Sequence, residues 1–598
     1  MEVRDVYDVL RTYTPVKIDG RKKVSFMSGI PNAPYTESIA LRWAYDERAR
    51  LIEVEYGGGR TDLYQGYDDR GNAATVVLAS GSLDQRIIDY TYHPEMNVPL
   101  TRTEASVLQP GGTKATLWDY DDDYDPIPNQ SPTRLLSRIV EQGYTKDAHG
   151  STQPYEYVTI FTYNPKGQVV SIDGPRPGTG DITNFAYHAG AGNLESLTRL
   201  HIGSTAFSEY DHAGRPRRIT DVNNAAKGIS YDGRGRITAV INYAENRPAL
   251  TEFGYVGGLL DSVTDPDVVV HFFDYDVQYG RLAAITDGDG NYIAHTYEPY
   301  PKGNLVEQGK FTVGNSLTSG KRWNYEHPDY PGKLYREIQP DNTYGEYGYD
   351  GAGNVIYSLD PKGHFTSYIY DFLDRLQGVT QRANDPDFRD VITAYAYDLH
   401  GNLAKVTDAE GHETVYVYGD MGRVVSTSSP DTGTTTYAYD EAGNLRFKED
   451  AKAVSVEYTY DHLNRVTFAD FPGTGDDILY TYDQGTNGKG HLTTMTDSSG
   501  IITFGYDPGG KLVQKTTFID GTAYPVTYAY TPCGRVDSVT YPSGRTVAYD
   551  RNALGKIVEV ATSGIAAPLA RGLTYRPFGG PLGMATGSGG VVNNVAGG

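Results

Sequence analysis

The chain has 598 residues, with 51 tyrosines against 17 phenylalanines, 69 glycines and a mean hydropathy of -0.49. Its 53 basic and 76 acidic residues give a formal charge of -23, which opposes binding to phosphate backbones and excludes a nucleic-acid partner from the expectations. No apolar run approaches the ~18 residues of a membrane-spanning helix, so no membrane insertion is expected, and the single cysteine, Cys533, rules out an internal disulfide framework.

Runs of Ala, Leu, Glu and Lys at helical spacing are almost absent. Val, Ile, Thr and Tyr between clusters of Gly, Asp and Asn predict many short strands joined by turns. Residues 1–40 read as a lead-in, a partial or degenerate repeat, and Met1 to Leu10 lack the order of a signal peptide. From Tyr45 to Tyr575 a tyrosine before a turn recurs 23 times, about 24 residues apart on average, and in 14 cases Asp follows it directly. A fixed period of this size signals a repeat architecture.

The residue two before each anchor is aromatic in 17 of the 23 cases and takes in all three tryptophans, Trp43, Trp118 and Trp323. Residues i and i+2 of a strand share a face, so the array predicts an aromatic ladder along one side. Tyrosine in place of phenylalanine predicts a hydroxyl that reaches a hydrogen-bond partner or water, hence a partly wet face.

Near 120–160 the spacing doubles, across the acidic Asp119 to Asp125 and the proline-rich Pro126 to Pro132. We read this as one repeat with a looped insertion, an extended hairpin or exposed loop around Glu141 to Pro154. Arg382 to Asp390 reads as a smaller polar bulge.

The most regular stretch runs from Tyr395 to Val466, where Tyr397, Tyr418, Tyr439 and Tyr460 follow one another at 21 residues. Each unit has two turns. In Tyr439-Asp440-Glu441-Ala442-Gly443-Asn444, Asp440 caps its own backbone and Gly443 supplies a positive φ. The second turn has the form Asp408-Ala409-Glu410-Gly411. The anchors of the repeat are thus Tyr349, Tyr370, Tyr397, Tyr418, Tyr439, Tyr460, Tyr482 and Tyr506, with turn glycines Gly353, Gly401, Gly422 and Gly443; all are structural. The repeat array covers 41–580, and 581–598 form a glycine-rich tail expected to be flexible or cut off.

The units YDEAGNL, YDGRGRI and YDPGGKL resemble the YD repeat, or RHS repeat, of bacterial Rhs polymorphic toxins, the C component of Tc toxins and the teneurins. The resemblance implies an all-β solenoid, a spiralling antiparallel β-ribbon that forms a hollow shell. In the bacterial members such a shell encloses a C-terminal toxin domain, and the proteins are secreted or on the cell surface. It therefore implies an enclosed toxin domain and secretion machinery as partners, and a non-catalytic scaffold role. The chain lacks the family's core-associated closing run and its Asp-Pro-x-Gly-Leu cleavage motif, which suggests an incomplete shell or a fragment of a longer protein. A second reading is a cell-surface adhesin whose tyrosines stack on glycans. A third is an enzyme, which needs a groove of converging carboxylates that the sequence does not mark.

Other motifs dissolve into the repeat. Gly505 to Lys511 matches a P-loop except for Leu512 in place of Ser/Thr, and a strand is expected behind it instead of a helix. Asp287, Asp289, Asn291 and Glu298 have EF-hand spacing, but Tyr292 stands where Gly is required. The histidines lack metal-site spacing, and Cys533 reads as an inert turn thiol. No cofactor or metal is expected.

Overall fold

The computed structural model describes residues 2–4, 10–18, 21–30, 39–56, 59–121, 133–243, 248–299, 302–328, 332–382, 389–473, 475–587 and 590–593. Most of the acidic and proline-rich run at Asp119 to Pro132, and most of the polar bulge at Arg382 to Asp390, lie outside these residues. Among the described residues the chain forms 50 β-strands and no helix. Each strand pairs antiparallel with the next one in sequence, from Glu2–Arg4 to Val591–Asn593, so the whole chain is one meandering ribbon. Among the described residues the first and last strands do not pair, so the sheet is open.

One rule of backbone geometry recurs through most of the array. In the strand Gly433–Tyr439, pairing with Leu445–Glu449 runs Tyr437↔Lys448 and Ala438↔Phe447, then slips by one residue to Tyr439↔Leu445. The slip is a β-bulge that leaves Arg446 unpaired, two residues beyond the turn that joins the strands. Asp440 N–H donates to Asn444 O, Gly443 N–H donates to Asp440 O, and Gly443 sits at φ +82°. This is a type I turn closed by a left-handed residue, the common three-residue hairpin solution. The same register slip falls directly before Tyr349, Tyr370, Tyr397, Tyr418, Tyr460, Tyr482 and Tyr506. Where glycine is missing, Asn464 takes φ +64°, a conformation asparagine tolerates.

One anchor is reassigned by this rule. In Thr546–Arg551 the slip falls between Asp550 and Arg551, so Tyr549 occupies the place two before the anchor. Arg551 is the anchor, and its guanidinium donates to Val536 O at 2.9 Å and to Gly555 O at 2.9 Å. At the C-terminal end the expected flexible tail meets two strands, Pro581–Thr586 and Val591–Asn593, because the antiparallel ladder simply continues.

Around 136–163 the two longest consecutive strands, Leu136–Lys146 and Thr152–Tyr163, pair from Arg138↔Ile160 to Lys146↔Thr152. This hairpin stands out beyond the ribbon edge and packs on the strand Gly433–Tyr439, far away in sequence.

That contact shows how the ribbon coils. The turn at Asp265–Asp267, after Leu259–Thr264, meets the turn at Thr531–Arg535, after Thr522–Tyr530. The two turns lie 23 strands apart. At ~4.8 Å per strand one revolution has a circumference of about 110 Å and a diameter of about 35 Å. Barrels of 16–18 strands already leave an open channel, so each revolution encloses a lumen, and the chain completes about two.

Candidate functional site: anchor turns and the seam between revolutions

The anchor tyrosines tie each repeat to the one before. Tyr439 Oη donates to Val424 O at 2.8 Å, Tyr460 to Leu445 O at 2.7 Å, and Tyr506 to Leu492 O at 2.8 Å. Tyr349, Tyr370 and Tyr397 do the same to Leu334, Val355 and Leu376. The acceptor is the first residue after the previous anchor turn, a carbonyl near the register slip that the ladder serves poorly. Burial, joined by nearby carboxylates and tyrosines, raises the phenol pKa values of Tyr370 and Tyr460, keeping them neutral donors.

Sequence reasoning passed over the basic residue that ends many anchor turns. Arg465 donates to Asp461 Oδ2 at 2.6 Å and, through two nitrogens, to Asp483, while its guanidinium lies 4.3 Å from the Tyr482 ring centre. Arg236 over Tyr255 at 4.2 Å, Arg281 over Tyr297 at 4.6 Å and Arg375 over Tyr397 at 4.5 Å repeat this stack. Arg423 and Lys333 cover Tyr439 and Tyr349 at 5.7 and 5.4 Å. The spacing is visible in the sequence: a cation five residues after one tyrosine, or six for Arg281 and eight for Lys333, lies beside the next. Each stack contributes about 0.5–1 kcal/mol at a half-exposed site.

The turn glycines Gly353, Gly401, Gly422 and Gly443 sit at φ +93°, +89°, +75° and +82°, so all four are held to the left-handed region. The turn aspartates cap the same backbone: Asp398 Oδ1 accepts from His400 N and Asn402 N at 2.9 and 2.8 Å.

The two edges of the ribbon differ, and the coil sets one against the other. Anchor turns of the second revolution dock on second-type turns of the first. Arg375 pairs with Asp84 at 3.1 Å, and Arg176 reaches Asp440 at 2.9 Å and the Asp461 carbonyl. Asn223 and Lys489 exchange two bonds, and Lys310 Nζ donates to Phe578 O at 3.2 Å. Cys533 belongs to this seam. Its Sγ–H donates to Asp267 Oδ2 at 2.7 Å, and burial with the facing Asp267 raises its pKa, which favours the unreactive thiol.

Asp420 is the centre of the seam and fully buried, with 0% exposure. Its carboxylate accepts from Ser106 Oγ at 3.0 Å, Val107 N at 2.9 Å and Tyr144 N at 2.8 Å, and Asp420 N donates to Tyr144 O at 2.8 Å. That last bond is the one backbone–backbone bond that crosses the seam among the described residues. Two glycines clear the space. A Cβ on Gly143 would lie 2.8 Å from Asp420 Cβ, and one on Gly419 3.3 Å from Tyr144 O. This explains why the anchor Tyr418 is followed by glycine where its neighbours have aspartate.

The other motifs take repeat roles. Asp287 is spent on Asp289 N and on Asn291 N and Nδ2, and Glu298 on Asn304. The P-loop-like segment is a strand, a turn with Gly510 at φ +81°, and the strand Leu512–Ile519. Among the described residues no group of three or more His, Cys, Asp or Glu is placed to hold a metal ion. A groove of about 470 Å³ lies at the seam between Arg86, Glu104 and His400.

A single open ribbon of bulge-closed hairpins, coiled so that unlike edges meet, defines a β-solenoid wall. Residues 397–434 match the RHS Repeat family. Over 165 residues, 27% of this chain, the sequence is 25% identical to the probable deoxyribonuclease RhsA of Dickeya dadantii, covering 11% of that protein. Over 362 residues, 56% of the chain, it is 25% identical to Teneurin-m of Drosophila melanogaster, covering 13% of that protein. In fold it is similar to the crystal structure of TcdB2-TccC3, with a TM-score of 0.70 at 11% identity over 99% of this chain and 40% of that one. It is also similar to the Photorhabdus luminescens Tc holotoxin pore, with a TM-score of 0.59 at 14% identity over 98% of this chain and 35% of that one. The chain thus spans about a tenth of these curated relatives and two fifths or less of the structural ones. Residues 397–434 thus carry an RHS repeat, parts of the chain are similar to Rhs proteins and to teneurin, and the ribbon as a whole is similar in fold to the Tc toxin structures.

Proposed function

We propose that this chain is a non-catalytic wall segment of an Rhs-type shell, secreted or displayed at the cell surface, which encloses a toxin-like polypeptide continuous with it and relies on secretion machinery for export. The observation that carries this reading is the seam. Residues roughly 265–315 positions apart are held in register by buried polar contacts, with Asp420 at their centre, so the ribbon closes into a wall around a lumen. The polar groups singled out in the anchor turns and at the seam are spent on backbone caps, ring stacks or seam contacts, which suits a scaffold. The glycan-binding reading is weaker, because basic side chains already cover many anchor rings and the hydroxyls are spent on carbonyls.

The test is protection. An unfolded, protease-sensitive polypeptide fused to the C-terminal end of the chain should be cut more slowly than on an unrelated soluble carrier. Asp420→Ala should speed its cleavage. Equal rates on both carriers would overturn the reading.

A further inference from the structure

Two kinds of contact hold the wall, and they are unequal. Along the ribbon every strand is laddered to the next by backbone hydrogen bonds without interruption. Across the seam no strand pairs with another among the described residues; the revolutions meet through turns and side chains. The polar latches are discrete: Asp84 with Arg375, Arg176 with Asp440, Asn223 with Lys489, and Asp265 and Asp267 with Arg535. Between them lie small apolar contacts, such as Leu554 against Gly288 and Phe372 against Gly59. The tightest region is the hairpin 136–163, where Tyr155 is buried beside Asp420.

We infer that the seam is an opening line: the two revolutions part along it, pinned at Asp420, while the strand ladder stays intact, giving an enclosed unfolded polypeptide a path through the wall. This rests on the shell reading above. The physical ground is that local openings follow the least costly boundary. Repeat for repeat, parting the seam breaks one or a few polar contacts, with a single backbone bond at Asp420, whereas parting two neighbouring strands breaks a row of ladder bonds. The latches are charged and hydrogen-bonded, so water replaces them when they separate.

The test uses the full chain with Cys533→Ser, which keeps a donor for Asp267. Spin labels on Leu83→Cys and Leu399→Cys, exposed and on opposite sides of the seam, report its width by pulsed electron resonance during a urea titration. Far-UV circular dichroism reports the ladder. A narrow distance in buffer that broadens at lower urea than the loss of strand signal supports the inference. Asp420→Ala should then lower the label midpoint and leave the strand midpoint in place. Coincident transitions in both proteins would overturn the inference and leave the closed wall standing. A broad distance already in buffer would overturn both.

Discussion

Tyr439 Oη donates to the carbonyl of Val424, 2.8 Å away and 15 residues upstream, so the anchor of one repeat satisfies the bulge of the repeat before it. Its ring lies under Arg423 from that same preceding turn. A local sequence motif thereby becomes a link between neighbours, and the solenoid gains stability repeat by repeat.

Tyr439→Phe removes this bond and keeps the ring. The expected loss is about 0.5–1.5 kcal/mol in chemical denaturation. Tyr437→Phe, which alters the tyrosine on the same face two residues earlier, serves as the comparison. Equal losses for both would mean that the hydroxyl of the anchor has no special role.

The left-handed turn residue gives a prediction in each direction. Gly443→Val forces a β-branched residue to φ +82° against the Arg423 guanidinium and should cost on the order of 1–3 kcal/mol. Val268 already carries that strain, at φ +64° in an exposed turn. Val268→Gly should be neutral or gain up to about 1 kcal/mol, since the strain relieved exceeds the entropy of the added glycine. A clear loss at Val268→Gly contradicts the assignment of strain there.

Acid should loosen the turns. Hydrogen bonds from the Arg215 side chain and backbone hold the Asp211 carboxyl at about 2, below the ordinary 3.8. The Arg236 side chain lowers Asp232, and the Arg50 backbone lowers Asp46, in the same way. A depressed carboxyl lends stability above its unfolded pKa and loses it as pH falls through the folded value. Stability toward urea should therefore be flat above about pH 5 and fall between about pH 4 and 2. Arg215→Gln should move the Asp211 titration, followed by carboxyl carbon NMR against Asp211→Asn, up toward 3.8. An unmoved titration would remove Arg215 as its cause.

The ribbon itself was legible because its causes are local. Tyrosine, aspartate and glycine at fixed offsets dictate strand, turn and bulge within six residues, and the repeat at Tyr397 to Tyr460 needs nothing else. Tyr549 was misassigned because the tyrosine-aspartate pair is usually the anchor, whereas here the bulge falls two residues later and arginine takes over the hydroxyl's task. The seam was not legible. It joins residues some 265–315 apart, and which turns meet depends on the pitch summed over 23 strands. Its traces are small: glycine in place of aspartate after Tyr418, and Gly143 in a long strand. Each marks a close approach whose partner a single sequence does not name.

The most direct measurement is a single-particle cryo-electron microscopy reconstruction of the chain. A coiled wall predicts density in which the Gly419–Asp420 turn sits on Tyr144 and the Thr531–Arg535 turn on Asp265–Asp267, around an open lumen. An extended or flat ribbon, with no contact between segments a revolution apart, would contradict it.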